Sequence, residues 1–246
     1  MAQLDNAKIK AVEHTANHPL LAGQGLGRRK QDQWLWQNVN FELHSGEGLA
    51  VVGPSGAGKT LLLRAIAGLD PIQAGQITFN GEPLTSWSMP QYRTFVVYLH
   101  QRPAIIEGNV EENFQQVYKL NLHRDKVYNR QQILNYLEIL GRPANFLERH
   151  SSALSGGESQ IVAFLRALQL QPQIFLLDEP TASLDAQTTD CFETLVKTWL
   201  TEDQKRAYLW TSHDPAQLKR VTNRSITLSG NSQQLTAKSY GTIAGA

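Results

Sequence analysis

The sequence lacks several features that would define a class of protein at once. It has one cysteine, Cys191, among 246 residues, which excludes an intrachain disulfide framework and a cysteine-rich zinc site and fits a reducing compartment. Its apolar runs are short: Leu49–Val52 and Ile174–Leu177 span four residues each, whereas a membrane-spanning helix needs about 20. The chain is therefore not expected to cross a bilayer by itself.

The chain also has almost no net charge. Lysine and arginine total 23 against 22 aspartates and glutamates, so the formal charge is +1 with the histidines neutral. This balance provides no long-range field for a polyanion or an anionic membrane surface, so nucleic acid is not an expected partner. The first residues carry charges at Asp5, Lys8 and Lys10 with no apolar segment behind them. We therefore expect no secretory signal and predict cytosolic residence.

The apolar residues, 41% of the chain, are enough for a core and form short strand-like runs that alternate with helical segments. Helices are predicted to begin near Lys59, Ser155 and Ala186. Because strands that alternate with helices usually form a parallel sheet, the sequence predicts an α/β fold. The predicted strands are Val39–Leu43, Leu49–Val52, Phe95–Leu99, Ile174–Leu177 and Ala207–Thr211.

Three segments depart from this alternation. Ile77–Phe79 leads into Asn80-Gly81, a pair that favours a tight hairpin turn and predicts a partly antiparallel early sheet. Residues 107–150 lack strand-like runs and have helical spacing, which predicts a helical subdomain at about residues 102–167. The glycine-spaced stretch from Leu20 is interpreted as an irregular lead-in. We expect one domain over residues 19–230, a loose arm at residues 1–18 and a flexible tail at residues 231–246.

The loop after the predicted strand Leu49–Val52 matches the P-loop pattern G-x-x-x-x-G-K-[ST] at every specified position. Backbone N–H groups of such a loop close around the β-phosphate of a nucleotide, Lys59 reaches the β- and γ-oxygens, and the Thr60 hydroxyl binds Mg²⁺. The alternative is an ordinary glycine-rich turn before a helix. Agreement of the whole pattern between a strand and a helix favours binding of ATP and Mg²⁺. The loop consists of Gly53, Pro54, Ser55, Gly56, Ala57, Gly58, Lys59 and Thr60.

Two acids, Asp178 and Glu179, directly follow the predicted strand Ile174–Leu177. Ligands of open α/β sheets bind at the carboxyl ends of the strands, so Asp178 is expected beside Mg²⁺. Glu179 would face the γ-phosphate and orient or deprotonate the attacking water. The alternative is that the pair only begins the turn at Pro180.

The motif Leu154-Ser155-Gly156-Gly157-Glu158 has two compatible interpretations. As a capping box, Ser155 and Glu158 satisfy each other's backbone donors at a helix start. That leaves Gly156 and Gly157 unexplained, since each costs up to about 1 kcal/mol relative to alanine inside a helix. Close approach of a phosphate would explain both glycines. A second phosphate cradle in one chain is useful if it completes the site of another copy.

With this motif the chain resembles the ATP-binding-cassette (ABC) ATPases, the nucleotide-binding subunits of ABC transporters, over about residues 20–230. Other residues follow in the family's order: Gln101 as the Q-loop glutamine, Ser183-Leu184-Asp185 as the D-loop and His213 as the switch histidine. The resemblance implies that Gln101 senses Mg²⁺ and the attacking water, Asp185 communicates across a dimer and His213 contacts the γ-phosphate. Taken alone, these residues would be interpreted more simply, as a solvated strand end, a helix N-cap and a loop histidine. The agreement of five motifs in the family's order favours the family roles, and Asp185 can serve both.

The resemblance implies a P-loop NTPase fold of the ABC ATPase type, with a mixed sheet core, an antiparallel β-subdomain and an inserted α-helical subdomain. It implies Mg²⁺-dependent ATP hydrolysis that drives translocation through a transmembrane permease on a separate chain. It also implies a head-to-tail homodimer on the cytoplasmic face of the plasma membrane. The compact chain is similar to the bacterial subgroup linked to iron export. The alternative is a soluble ABC ATPase acting on a ribosome or DNA, although such proteins usually carry paired cassettes or long coiled-coil insertions.

Two positions depart from the family pattern. Gln160 is followed by Ile161 where an arginine is usual, which removes no catalytic group. Near the expected adenine-stacking aromatic residue the sequence has Arg28-Arg29-Lys30, followed by Trp34 and Trp36. Strand alternation places both tryptophans on one face, where they either pack in the core or, for Trp34, stack on adenine. We expect the basic residues to hold the base.

Overall fold

The structure, a computed structural model, describes residues 18–229 and 238–239. These residues form two β-sheets with helices around them. The strands are β1 Leu21–Lys30, β2 Gln33–Leu43, β3 Gly48–Val52, β4 Ala74–Phe79, β5 Glu82–Pro83, β6 Val96–Leu99, β7 Ile174–Asp178, β8 Ala207–Thr211, β9 Arg224–Thr227 and β10 Lys238–Ser239. The α-helices are α1 Lys59–Ile66, α2 Met89–Phe95, α3 Val110–Gln115, α4 Arg130–Ile139, α5 Gly156–Leu168, α6 Ala186–Glu202 and α7 Pro215–Val221. Short 3-10 turns lie at Leu84–Ser86, Gln116–Lys119, Asn121–His123, Ala144–Glu148 and Ser151–Ala153.

The larger sheet is mostly parallel, as predicted. Its strand order is β10-β9-β3-β8-β7-β6, and every pair from β9 to β6 is parallel, whereas β10 pairs antiparallel with β9. Alternate residues of β7 enter two apolar clusters. Phe175 packs in the cluster that contains Phe164 of α5, and Leu176 in the cluster that contains Leu62 of α1. Both faces are therefore covered, which is why β7 is a continuous apolar run in the sequence.

The strand order brings three loops to one edge of this sheet. Strand β8 lies between β3 and β7, and Asp178 at the end of β7 pairs in register with Thr211 at the end of β8. The loop after β3 that begins α1, the loop after β7 and the loop after β8 consequently leave the sheet side by side. This edge is the carboxyl edge, where ligands of parallel sheets bind.

The smaller sheet is antiparallel, with the order β2-β1-β4-β5, and it corrects one prediction. The stretch from Leu20 is not an irregular lead-in, because β1 pairs with both β2 and β4, with register shifts along its length. Its glycines mark close packing: a Cβ on Gly23 would lie 2.5 Å from the Phe41 ring and one on Gly27 2.6 Å from the Trp34 ring. The predicted hairpin turn is confirmed, since Asn80 and Gly81 have φ angles of 52° and 79°.

The segment predicted to be helical, residues 107–150, contains α3, α4 and short 3-10 turns. Helix α3 packs on α5, so this segment lies against the helix that begins after Ser155. No helix among the described residues is long and apolar enough to span a membrane. The predicted N-terminal arm lies outside the described residues except for His18, as does the predicted C-terminal tail except for β10, which pairs with β9.

Candidate functional site

A cavity of about 500 Å³ lies over the loop between β3 and α1. Residues from six separate segments line it. The P-loop contributes Ser55, Gly56, Gly58, Lys59 and Thr60, and β1 contributes Arg28, Arg29 and Lys30. The other lining residues are Leu35, Leu61, Gln101, Glu179 and His213. The structure thus brings the predicted P-loop, the basic run and three predicted catalytic residues to one cavity.

The P-loop leaves the N-terminus of α1 without a side-chain cap. Gly58, the N-cap residue, has a φ angle of 89° and makes no capping hydrogen bond, whereas Ser155 and Asp185 cap α5 and α6 with their side chains. A Cβ on Gly58 would lie 2.7 Å from Leu35 and 2.8 Å from Trp36, so both the backbone angle and the space require glycine. The first backbone N–H groups of α1 therefore remain available to an anion in the cavity.

Lys59 places a positive charge beside these N–H groups. The residue is 8% exposed, and its Nζ donates to the carbonyl oxygens of Gly53 at 2.9 Å and Pro54 at 3.3 Å. Among the described residues no carboxylate pairs with it. A largely buried ammonium that is held by carbonyl groups alone favours an anionic ligand. The arrangement therefore fits the phosphates of a nucleotide.

Asp178 is held in a fixed position at the end of β7. It is 2% exposed, and its two carboxylate oxygens accept hydrogen bonds from the Thr211 hydroxyl at 2.9 Å and the Tyr98 hydroxyl at 2.8 Å. Burial, reinforced by the charge of Asp178, raises the pKa of Tyr98, so this phenol stays a donor. Asp178 does not itself line the cavity.

The oxygens of Asp178 and of Thr60, an exposed residue of α1, are the donor types that Mg²⁺ prefers. The described residues contain no group of three or more His, Cys, Asp or Glu side chains that could hold a metal ion. An ion that keeps several waters and binds phosphate oxygens needs no such cage. The residues present therefore fit Mg²⁺ bound together with a nucleotide.

Glu179 joins two other predicted site residues. Its Oε2 accepts a hydrogen bond from Gln101 Nε2 at 2.7 Å, and its Oε1 lies 2.8 Å from His213 Nε2. Its backbone N–H donates to the Thr211 hydroxyl at 2.9 Å and points toward the Thr211 carbonyl oxygen at 3.2 Å. Glu179 has a φ angle of 48°, an unfavourable region for a residue with a Cβ and one that clusters at functional sites.

The helix start at Ser155 contains the predicted capping box. Ser155 Oγ accepts from the Glu158 N–H at 3.2 Å, and the Glu158 carboxylate accepts from the Ser155 N–H at 2.8 Å. The inference that phosphate explains both glycines needs correction. A Cβ on Gly157 would lie 2.6 Å from the Ser183 carbonyl oxygen, so a contact within the chain accounts for that glycine. A Cβ on Gly156 would have ordinary contacts at 3.8 Å.

Neither this helix start nor Asp185 lines the P-loop cavity. The Asp185 carboxylate accepts hydrogen bonds from the Thr188 N–H and the Thr188 hydroxyl, both at 2.8 Å, and these bonds lower its pKa. Asp185 is therefore the N-cap of α6. Within one chain neither Ser155 nor Asp185 lines this cavity, and their roles across a dimer remain predictions.

The basic run of β1, rather than the tryptophans, faces the cavity. Trp36 is 2% exposed in the core, and Trp34 lies under the Arg29 guanidinium, whose carbon is 4.4 Å from the centre of the Trp34 ring. Leu35 lines the cavity, and its side chain lies beside that of Trp36 next to Gly58. Sequence analysis missed Leu35, because no motif marks it and only its packing beside Gly58 brings it to the cavity.

Comparison with known proteins gives a consistent result. The family profile described as ABC transporter matches residues 36–182. The "Probable iron export ATP-binding protein FetA" of Escherichia coli is 31% identical over 228 residues, covering 91% of this chain and 97% of the relative. The "Aliphatic sulfonates import ATP-binding protein SsuB" of Bacillus cereus is 36% identical over 194 residues, covering 78% of this chain and 73% of the relative.

A solved structure has the same fold. It is the dimeric post-hydrolysis state of the ATP-binding cassette MJ0796 bound to ADP and Pi, with a TM-score of 0.76 and 24% identity, and the alignment covers 90% of this chain and 99% of that chain. At this identity the likeness establishes the fold alone. It agrees with the mixed parallel and antiparallel sheets described above.

Proposed function

Because the chain belongs to the ABC transporter family and is an ATP-binding, ATP-hydrolysing subunit of that family, we propose that ATP and Mg²⁺ bind in the cavity over the P-loop. The backbone N–H groups of residues 55–60 and the Lys59 ammonium hold the β- and γ-phosphates. Thr60 and Asp178 hold Mg²⁺, with Gln101 beside them. When bound, Mg²⁺ neutralises charge on the phosphate oxygens.

The hydrogen-bonded group formed by Gln101, Glu179 and His213 carries this proposal. The Glu179 carboxylate can accept about four hydrogen bonds, and Gln101 and His213 use two of these positions. The remaining positions can orient the attacking water and take its proton, which makes Glu179 the general base. His213 Nε2 is engaged by Glu179, but because the side chain is 62% exposed its ring can turn toward a bound nucleotide and donate to the γ-phosphate. Gln101, which lies on the loop after β6, orients the Glu179 carboxylate through its hydrogen bond.

A head-to-tail homodimer completes the site. In such a pair the first turn of α5, with Ser155, Gly156 and Gly157, faces the phosphates bound by the partner's P-loop. Asp185 lies on the loop whose Ser183 packs against Gly157 in the first turn of α5. A shift of this loop therefore moves the first turn of α5. ATP closes the pair and hydrolysis reopens it.

The relatives' names support a proposal for the cargo and the partner, with the relative that matches over 97% of its length given the most weight. A transmembrane permease on a separate chain binds this subunit at the cytoplasmic face of the membrane, and iron export is the transport reaction, as the name of the Escherichia coli relative suggests for that protein. A test is to co-express the chain with the membrane protein that its neighbouring gene encodes and to measure ATP-dependent Fe²⁺ transport in inverted vesicles.

The proposal is supported if the permease changes the rate of ATP turnover and if iron is transported only when this chain and the permease are both present. The purified chain should hydrolyse ATP with Mg²⁺ and stop when EDTA removes the metal. Stimulation by ribosomes or DNA in place of the permease would favour the soluble alternative.

A further inference from the structure

An arginine outside the nucleotide cavity, Arg149, contacts the helix start that carries Ser155. Its Nη1 forms an ion pair with Glu158 Oε1, and its Nη2 donates to the Ala153 carbonyl oxygen at 2.7 Å. Ala153 precedes Leu154-Ser155-Gly156-Gly157, and Glu158 follows it. The guanidinium therefore bridges the two ends of the motif.

The position of Arg149 is set by the helical subdomain. Its guanidinium carbon lies 5.6 Å from the centre of the Phe146 ring, and Phe146 is 2% exposed. The Arg149 carbonyl oxygen accepts from the Val110 N–H at 3.0 Å, at the start of α3. The arginine thus connects the packed helical segment to the first turn of α5.

The capping box decides where the Ser155 hydroxyl can donate. A hydroxyl has one donor and two acceptor positions. Because Ser155 Oγ accepts from the Glu158 N–H, its acceptor side is turned toward the helix and its O–H can be directed outward to a phosphate oxygen. The Glu158 carboxylate supports this geometry from the other side, because it accepts the Ser155 N–H at 2.8 Å.

The same carboxylate brings a negative charge close to an anion site. Partial burial raises the pKa of Glu158, but hydrogen bonds from Ser155 and Arg149 outweigh this effect and lower the pKa overall. Glu158 is therefore ionised at neutral pH, and alone it would oppose the helix N-terminus in attracting a phosphate. The Arg149 guanidinium cancels that charge.

We propose that Arg149 is a positioning residue for ATP hydrolysis at the partner's nucleotide: it holds and neutralises Glu158, so that the first turn of α5 presents the Ser155 hydroxyl and its N–H groups to a γ-phosphate. The inference rests on the proposed role of Ser155 across the dimer. It assigns Arg149 no contact with the nucleotide.

The first experiment compares two arginines that each pair with a glutamate in the helical region. Arg149→Ala should lower kcat about tenfold or more, the size expected for a lost charge-assisted contact, and leave ATP affinity of the single chain unchanged. Arg130→Ala is the matched control. Arg130 Nε lies 2.9 Å from Glu111 Oε1, and this ion pair does not involve the Ser155 motif. Wild-type turnover in Arg149→Ala, or an equal loss in both variants, would overturn the inference.

A second variant separates positioning from mere stability. In Arg149→Ala/Glu158→Gln the glutamine oxygen can still accept from the Ser155 N–H, but no charge needs to be cancelled. Its turnover should recover to that of Glu158→Gln alone, whatever the melting temperatures of the variants. A double variant that is as slow as Arg149→Ala would mean that Arg149 supports only the fold.

Mixing experiments locate the effect on the partner. Arg149→Ala mixed with Lys59→Ala should regain turnover, because one composite site keeps both an intact P-loop and an intact motif. Ser155→Arg serves as the reference. If Ser155→Arg is inactive while Arg149→Ala is fully active, the inference alone fails; if Ser155→Arg is also fully active, the proposed function across the dimer fails.

Discussion

Glu179 and His213 lie on loops after different strands, yet Glu179 Oε1 and His213 Nε2 are 2.8 Å apart. The two loops are joined at Thr211, the last residue of β8. Its hydroxyl accepts a hydrogen bond from the Glu179 backbone N–H. The backbone of Glu179 is thus held independently of its side chain. A substitution that keeps the shape of this side chain should change the chemistry and leave the site's architecture in place.

Glu179→Gln should therefore bind ATP but lose turnover by about 100-fold or more, the contribution expected of a general base. The glutamine amide oxygen can still accept a hydrogen bond from Gln101 or His213. The backbone bond to Thr211 is unchanged, so the two loops keep their positions. With hydrolysis blocked, the variant should accumulate as a closed dimer on gel filtration with ATP and Mg²⁺. Hydrolysis at the wild-type rate would show that another group activates the water.

A mixture of Ser155→Arg and Lys59→Ala chains should recover turnover that neither chain has alone. Lys59→Ala lowers nucleotide affinity about ten- to hundredfold, since it removes charged hydrogen bonds to phosphate, and Ser155→Arg fills the space before the first turn of α5. A heterodimer retains one composite site with both elements intact. Absence of recovery, with heterodimers demonstrated by two affinity tags, would contradict action of Ser155 on the partner's nucleotide.

The P-loop and the acids after β7 could be predicted because each motif is contiguous and adjoins an apolar strand. Strand β1 could not, since its glycines allow close packing against Phe41 and Trp34, which the sequence does not reveal. The meeting of Gln101 with Glu179 depends on β6 lying beside β7. Arg149 has no motif of its own, and its importance emerges only from its contacts with Glu158 and Ala153.

The two glycines of the α5 motif should respond differently to alanine. Gly157→Ala puts a Cβ 2.6 Å from the Ser183 carbonyl oxygen, so we expect a loss of about 1–3 kcal/mol in unfolding free energy from overpacking. Gly156→Ala has room within the chain and should melt no lower than the wild type, because alanine favours helices. Its turnover should nevertheless fall if the partner's γ-phosphate approaches that backbone.

Thermal unfolding and ATPase rates of both glycine variants distinguish these effects. Equal melting temperatures for the two variants would contradict the contact between Gly157 and Ser183. Wild-type turnover of Gly156→Ala would remove the need for close approach at that position and leave Ser155 as the candidate contact.

The last prediction concerns the nucleotide base. Arg29 lines the cavity with its guanidinium stacked on Trp34, whereas Trp34 itself does not line the cavity. A guanidinium plane can stack on either purine, so ATP should be preferred over GTP by about tenfold or less, under about 1.4 kcal/mol. Arg29→Ala should weaken both nucleotides, and Trp34→Ala should change affinity little in a folded protein, because the base would contact the arginine. Titration calorimetry with ATP and GTP measures both variants. A large loss of ATP affinity in Trp34→Ala, with GTP binding unaffected, would instead make Trp34 the stacking residue.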